Sequence, residues 1–369
     1  MKILQLGKFY PLKGGVEKVM YALAEKLSEQ GIDCDAMFAS KDGHAEDFQL
    51  NEHCHIYICR TFFEAKATMI APTMVTTLQQ IRDRYDLIHI HHPDPMAALA
   101  LYVSGFKGRV VLHWHSDIIR QNNLLKFYRP LQSWLIRRAD IIVGTSPVYL
   151  KQSDALTLVQ EKCCCIPIGV YETKSNPTLT AKLCKQYTGK HIVFSLGRLV
   201  LYKGYEYLIE AAMHLPDDYV VLIGGTGHQY NHLAAYIEKL GLQKKVKLLG
   251  FIPDENLGAY FDACDVFCLS SIDKREAFAI VQVKAMIHGC PIVSTDIPGS
   301  GVSWVNQNGV TGITVPPCDS QALAHAIEEL CVDEQRRQRY SRQARQRYEE
   351  LFRMEDMVAK TAALYKKLI

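Results

Sequence analysis

Ser195-Leu196-Gly197-Arg198-Leu199-Val200-Leu201-Tyr202-Lys203-Gly204 reads as the end of an apolar strand, a glycine turn, and two cations just ahead of a helical pattern over Tyr205–Met213. The first N–H groups of a helix have no intrahelical acceptor, and a diphosphate suits both those donors and nearby Arg and Lys side chains. Arg198 and Lys203 are therefore the leading candidates for holding an anionic ligand.

The same rhythm surrounds this stretch. Ile192–Leu196, Tyr219–Ile223, Val246–Leu249, Val266–Leu269 and Pro291–Ser294 are short apolar runs, interleaved with helical patterns such as Tyr205–Met213 and Ala277–His288. Earlier in the chain, Lys2–Leu6 leads through Gly14-Gly15 into a helical pattern that runs to Leu27 and is closed by Gly31. Cys34–Ala39, Leu87–His91, Val110–His113 and Ile141–Val143 continue the series. Repeated strand-helix units predict parallel sheets covered on both faces, the α/β class.

Ile166-Pro167-Ile168-Gly169 interrupts the pattern, and Glu172 to Pro177 is polar and turn-rich, as a linker should be. The expected division is 1–170, 171–345 and a C-terminal helix over 346–369 that packs back toward the first domain. From Asp333 the chain is a charged helical run that ends in the amphipathic segment Met357 to Leu368. Two doubly wound domains facing each other would leave a cleft at the carboxyl ends of their strands.

A length of 369 residues suits two domains, and 48% hydrophobic with 22% charged residues is a globular composition. The net charge of +3 is too small to imply a nucleic-acid partner. It is compatible with loose peripheral attraction to an anionic membrane face. No apolar run approaches the roughly 20 residues that span a bilayer, and Met1 to Gly7 is too short for a signal-peptide core, so the expected location is the cytoplasm, at most at the inner face of the membrane. The 12 cysteines lack paired zinc spacing and read as reduced packing residues, with Cys163-Cys164-Cys165 a strand edge entering the linker.

A second motif begins at Lys274-Arg275-Glu276-Ala277-Phe278-Ala279-Ile280, an acid just before an apolar helix that follows a strand. Glu276 there either balances the helix dipole or holds sugar hydroxyls while the first N–H groups face a phosphate. Taken in order, Gly14-Gly15, Gly197-Arg198 with Lys203-Gly204, Gly225-Thr226-Gly227 and Glu276-Ala277-Phe278 resemble glycosyltransferase family 4, the retaining enzymes of GT-B fold. The resemblance covers nearly the whole chain and is more specific in its second half. It implies two Rossmann-like domains facing across a cleft. The implied reaction moves a sugar from a nucleotide-diphosphate donor to a saccharide or lipid-linked acceptor, as in polysaccharide or lipopolysaccharide assembly.

By that resemblance Arg198 and Lys203 bind the donor diphosphate, Glu276 contacts the transferred sugar, and Phe278, Ala279 and Ile280 offer backbone N–H groups. Gly14 and Gly15 match the glycine loop that approaches donor phosphate and acceptor, Gly225 lies in the matching second-domain loop, and His115 in His113-Trp114-His115-Ser116-Asp117 matches a strand-end histidine beside the reaction centre. No metal cofactor is expected. Asp33-Cys34-Asp35 formally matches a metal-binding DxD motif but falls on a predicted strand, and His89, His91 and His92 sit on a strand whose alternation points neighbours to opposite faces.

Two positions depart from the family pattern. Ala279 stands where the family usually has Gly, and Lys284 stands where a second Glu normally accepts ribose hydroxyls. An ammonium has donors only, so Lys284 cannot make that contact and is expected to pair with a carboxylate such as Glu276 or to reach the donor phosphates. Only Glu276 is a candidate sugar-flanking acid, which argues against a glycosidase and its carboxylate pair. A nucleotide-sugar epimerase on the same architecture and a non-catalytic nucleotide-sugar-binding protein are the alternatives. A dinucleotide oxidoreductase is disfavoured, because no GxGxxG follows the first strand.

Overall fold

The computed structural model describes residues 1–12, 14–65, 68–118 and 122–369. These form two compact units, Met1–Gly169 with Met354–Ile369, and Val170–Arg353.

The first unit is built on an eight-stranded sheet. Its order is Cys163–Cys165, Ile141–Gly144, Arg109–Trp114, Leu87–His92, Lys2–Tyr10, Asp33–Ser40, Cys54–Cys59 and Glu46–Asn51. All neighbours are parallel except the last pair, a hairpin at the edge. The strand Lys2–Tyr10 is central because Ile3, Leu4 and Leu6 are wholly buried, an apolar run that only a strand covered on both faces can hide. The helix Gly15–Glu29 buries Val19, Met20, Leu23 and Leu27 at helical spacing, and its chain leaves through Gly31 at φ 77°, the left-handed residue that ends helices.

The second unit carries six parallel strands in the order Val246–Gly250, Tyr219–Gly224, His191–Leu196, Val266–Leu269, Ile292–Thr295 and Gly312–Val315. Numbered within the unit this is 3-2-1-4-5-6, the doubly wound order whose direction reverses between the first and fourth strands. Ligands of such sheets bind outside the carboxyl ends at that reversal. The apolar residues of Tyr205–His214 and Ser320–Val332, among them Leu208, Ile209, Leu323 and Ile327, cover one face.

The C-terminal helical run is broken rather than continuous. Glu334–Leu351 belongs to the second unit and Met354–Leu368 to the first, so the division falls at Arg353/Met354 and not at 345/346. The break follows from Phe352, fully buried against Phe278 and Trp304, whose carbonyl accepts the Val170 N–H at 2.8 Å. Met354, Met357, Val358, Ala362 and Tyr365 are buried along the last helix. No described helix is long and apolar enough to cross a membrane. All twelve cysteines are free thiols, and burial pushes Cys268 up to about 12.

Candidate functional site

In the second unit the loop after His191–Leu196 lies directly on the loop after Tyr219–Gly224. Gly197 N–H donates to Gly224 O at 3.1 Å, and Leu199 N–H to Thr226 O at 2.9 Å. A Cβ on Gly225, at φ 132°, would stand 1.8 Å from Gly197 O, and one on Gly227 2.2 Å from Leu199 O. These glycines are required by backbone packing, which holds the Arg198 loop in place.

From that loop a single 3-10 turn, Leu201–Lys203, delivers Lys203 to the reversal point. Gly204 at φ 61° then starts Tyr205–His214, with its backbone so close to Ser270 that a Cβ would be 2.3 Å from that carbonyl. Lys203 Nζ sits 2.5 Å from Glu276 Oε2, and the two side chains are each 9% exposed. Ser271 Oγ donates to the same oxygen at 2.9 Å, and Ser270 Oγ donates to Lys203 O at 2.9 Å. Both partners of Oε2 are thus protein groups, while Oε1 takes part in neither contact. Gly197 makes room for the ammonium, since a Cβ there would be 3.3 Å from Lys203 Nζ. Arg198 differs: it is exposed, with Nη2 3.4 Å from the Tyr202 hydroxyl.

The segment after Glu276 is pinned through its own carbonyls. Ser300 Oγ donates to Glu276 O, and Gly301 N–H donates to Ala277 O at 2.9 Å. Phe278 is buried against Phe352, ring centres 5.8 Å apart. The following helix is Ile280–Ile287 and does not begin at Ala277 as its apolar pattern suggests. The reason is Ala279, at φ 62° and ψ 68°, a left-handed residue that cannot continue a right-handed helix backwards. The N–H groups of Ile280 and Val281 fall in the first turn, where a helix has no acceptors of its own.

Lys284 lies in the last turn of this helix. Glu276 is taken by Lys203, and Lys284 Nζ is 3.8 Å from Asp254 Oδ1. Gln282 is not among the residues the sequence singles out; it is fully buried, with Nε2 donating to Val302 O at 3.3 Å and Oε1 without a partner among the described residues. A Gln inside an apolar helical pattern was the signal available.

Gly14, Gly15 and His115 belong to the first unit. Gly14 precedes the helix Gly15–Glu29 in extended conformation, φ −105° and ψ 173°, which any residue can adopt. Its lack of a side chain serves Glu17, whose Oε2 lies 2.2 Å from where a Cβ would be. Glu17 is itself 6% exposed, and its Oε2 has no partner among the described residues; nothing in the sequence singles it out. His115 follows Arg109–Trp114 and is held by a braced loop, in which Trp114 Nε1 and Ser153 Oγ donate to Asp117 Oδ1 at 2.9 and 2.7 Å.

Strand alternation separates His92 from His89 and His91 but leaves those two together. His92 faces Trp114, rings 3.7 Å apart, and Gln132, whereas His89 and His91 share their face with His113 and His115 of the neighbouring strand. Nitrogens of His89, His91 and His113 lie within 4.8 Å of one another, the described group that could share an ion. The rings are stacked, 13–28° from parallel, and both His91 nitrogens already have partners. Burial holds His89, His91, His92 and His115 well below the usual histidine range and His113 at about 3, so all five are neutral. Both acids of Asp33-Cys34-Asp35 have protein partners, His53 for Asp33 and Tyr85, Lys2 and the His55 N–H for Asp35.

Comparisons with known proteins bear on both units. A family model described as "Glycosyl transferases group 1" matches residues 184–347, and one described as "Glycosyltransferase Family 4" matches residues 13–173. The chain is 32% identical over 375 aligned residues to an O-antigen chain mannosyltransferase C of Escherichia coli, covering 100% of this chain and 99% of the relative. It is 31% identical to the D-rhamnosyltransferase WbpZ of Pseudomonas aeruginosa, over 95% and 92% of the two chains. Among solved structures, Anabaena HepE in complex with UDP superposes over 100% of both chains with a TM-score of 0.79 at 23% identity. Sucrose-phosphate synthase of Thermosynechococcus elongatus does so with a TM-score of 0.83 at 20% identity, over 100% of this chain and 99% of that one.

Proposed function

Since the chain belongs to the group 1 and family 4 glycosyltransferases and has their GT-B fold, we propose that it transfers a sugar, with retention, from a nucleotide-diphosphate donor to a hydroxyl of a growing bacterial glycan. The observation that carries this reading is the Lys203–Glu276 pair at the carboxyl end of the reversal point, with exposed Arg198 on the same loop. The two cations stabilise charge growing on the leaving diphosphate, and the N–H groups of Ile280 and Val281 add donors without a metal. Glu276 Oε1 is left to accept from a sugar hydroxyl. No second carboxylate flanks this position in the motif, so the leaving phosphate itself serves as base.

The names of the full-length relatives support the substrate class. One is a mannosyltransferase of O-antigen and the other a D-rhamnosyltransferase, and D-rhamnose is 6-deoxymannose. A manno-configured donor and a saccharide or lipid-linked acceptor therefore come first. A thermal-shift screen of UDP- and GDP-linked sugars tests the reading, because a ligand at about 100 times its dissociation constant stabilises by roughly 2.7 kcal/mol. No shift with any nucleotide sugar or free nucleotide at millimolar concentration overturns it. Conversion of a donor to its epimer without acceptor would point instead to an epimerase.

A further inference from the structure

Inside the first unit a continuous line of hydrogen bonds ends on His115. Gln5 Nε2 donates to the Tyr365 hydroxyl at 2.9 Å and to Cys34 Sγ at 3.5 Å, which turns Gln5 Oε1 toward His91 Nε2 at 2.9 Å. With the Gln5 amide in this orientation Tyr365 accepts from Nε2 and has its own proton available for His89 Nδ1. His91 Nδ1 in turn lies 2.9 Å from His115 Nε2.

The proton positions along this line follow from counting. Gln5 Oε1 can only accept, so His91 carries its proton on Nε2. A neutral imidazole has one N–H, which leaves His91 Nδ1 as an acceptor and requires His115 to donate from Nε2. His115 is neutral as well, and its Nδ1 must then be a bare lone pair. That nitrogen is buried and has no partner among the described residues. A buried acceptor left unpaired costs about 1–3 kcal/mol, and fixing such a group in place is reasonable where a ligand completes it.

We propose that Gln5 and His91 are positioning residues that hold His115 in the Nε2–H tautomer, so that its Nδ1 is kept as an acceptor for a hydroxyl of the bound sugar or acceptor. The inference rests on the reading that His115 meets substrate. Neither Gln5 nor His91 belongs to the motifs that suggested the function, and Tyr365 reaches them from the last helix.

The test uses the full chain with 15N-labelled histidine, the His115 signals being those lost in His115→Asn. The expected spectrum has His115 protonated on Nε2 and bare on Nδ1. In His91→Leu, His115 becomes a mixture of tautomers and kcat for nucleotide release from the best donor falls about tenfold, with KM little changed. His91→Asn, which places Oδ1 where Nδ1 stood, keeps both the tautomer and most of the rate. A wild-type His115 protonated on Nδ1, or an unchanged tautomer in His91→Leu, overturns the proposal without needing any activity. So does one equivalent of metal in the purified protein that is lost in His113→Gln, since those nitrogens would then be ligands. If the tautomer behaves as expected but His115→Asn turns over at the wild-type rate, the positioning line stands and the substrate contact of His115 is what fails.

Discussion

Lys203 and Glu276, 73 positions apart in the chain, form an ion pair of 2.5 Å that is about nine-tenths buried, and the Ser271 hydroxyl donates to the same carboxylate oxygen. The acid proposed to hold the sugar and one cation proposed to hold the diphosphate are thus a single unit. Removing either strands the other.

Lys203→Ala is expected to lower turnover about a hundredfold or more and to cost about 3–5 kcal/mol of stability, because Glu276 is left buried and unpaired. Adding Glu276→Gln to Lys203→Ala should restore much of the stability and none of the turnover. Arg198→Ala, on an exposed side chain, should match the loss of turnover with a stability change within about 0.5 kcal/mol. Denaturant melts alongside rates decide this; a stable, fully active Lys203→Ala enzyme removes the pair from the mechanism.

Ala279→Gly should stabilise the protein by about 0.5–1 kcal/mol, since an L-residue at φ 62° is strained by roughly 1–2 kcal/mol and Gly is not. A lower midpoint in chemical denaturation would show that the Ala methyl packs better than its backbone strain suggests.

Lys284→Glu is expected to tighten nucleotide binding about tenfold, or 1.4 kcal/mol, by supplying the ribose acceptor that the family usually has. The pair it breaks is loose, with Asp254 71% exposed, so stability should change little. Calorimetry with the best donor nucleotide reads this directly. Unchanged or weaker affinity would mean that Lys284 itself serves the site.

The buried histidines make stability depend on acid in a definite sense. Their folded values lie below the unfolded value near 6.5, so the unfolded chain binds more protons as pH falls. Their contribution is complete above pH 6.5 and is lost on acidification, with His113 losing its share down to about 3. Each such group steepens the decline by up to about 1.4 kcal/mol per pH unit. Urea melts between pH 7.5 and 4.5 should show the slope, and His113→Gln should flatten it by one proton; an identical slope in that variant contradicts the neutral state of His113.

Activity should persist in EDTA, because in the proposed mechanism Arg198, Lys203 and helix N–H groups supply the charge that a metal otherwise would. Complete loss restored by Mg²⁺ or Mn²⁺ would overturn that part of the mechanism.

Most strands were legible because each is a short apolar run in a chain whose helices bury their faces at helical spacing, whereas Glu46–Asn51, Cys54–Cys59 and Gly312–Val315, toward the sheet edges, are not among the runs read from the sequence; Gly31 and Gly204 mark helix ends in the usual chemistry. The site was legible only as separate motifs. Nothing in the sequence joins Lys203 to Glu276, because that depends on the first and fourth strands being neighbours. Ala279 reads as a bulkier Gly, and its handedness shows only once the chain is folded. The histidine stack was obscured by treating one strand alone; pairing His91 with His113 requires the register of the sheet. The contact of Lys284 with Asp254, on another helix, is invisible to local spacing.

The placement of Met354–Ile369 in the first unit has a consequence for how the protein is made. A ribosome must finish all of Val170–Arg353 before those residues emerge, on the order of 10–40 s at ~5–20 residues per second. Until then Gln5 and His89 lack the Tyr365 hydroxyl and the sheet lacks the apolar face of its last helix. The earliest part of the nascent chain is therefore the last to be sealed, and it must be shielded from aggregation while the later unit is still being translated.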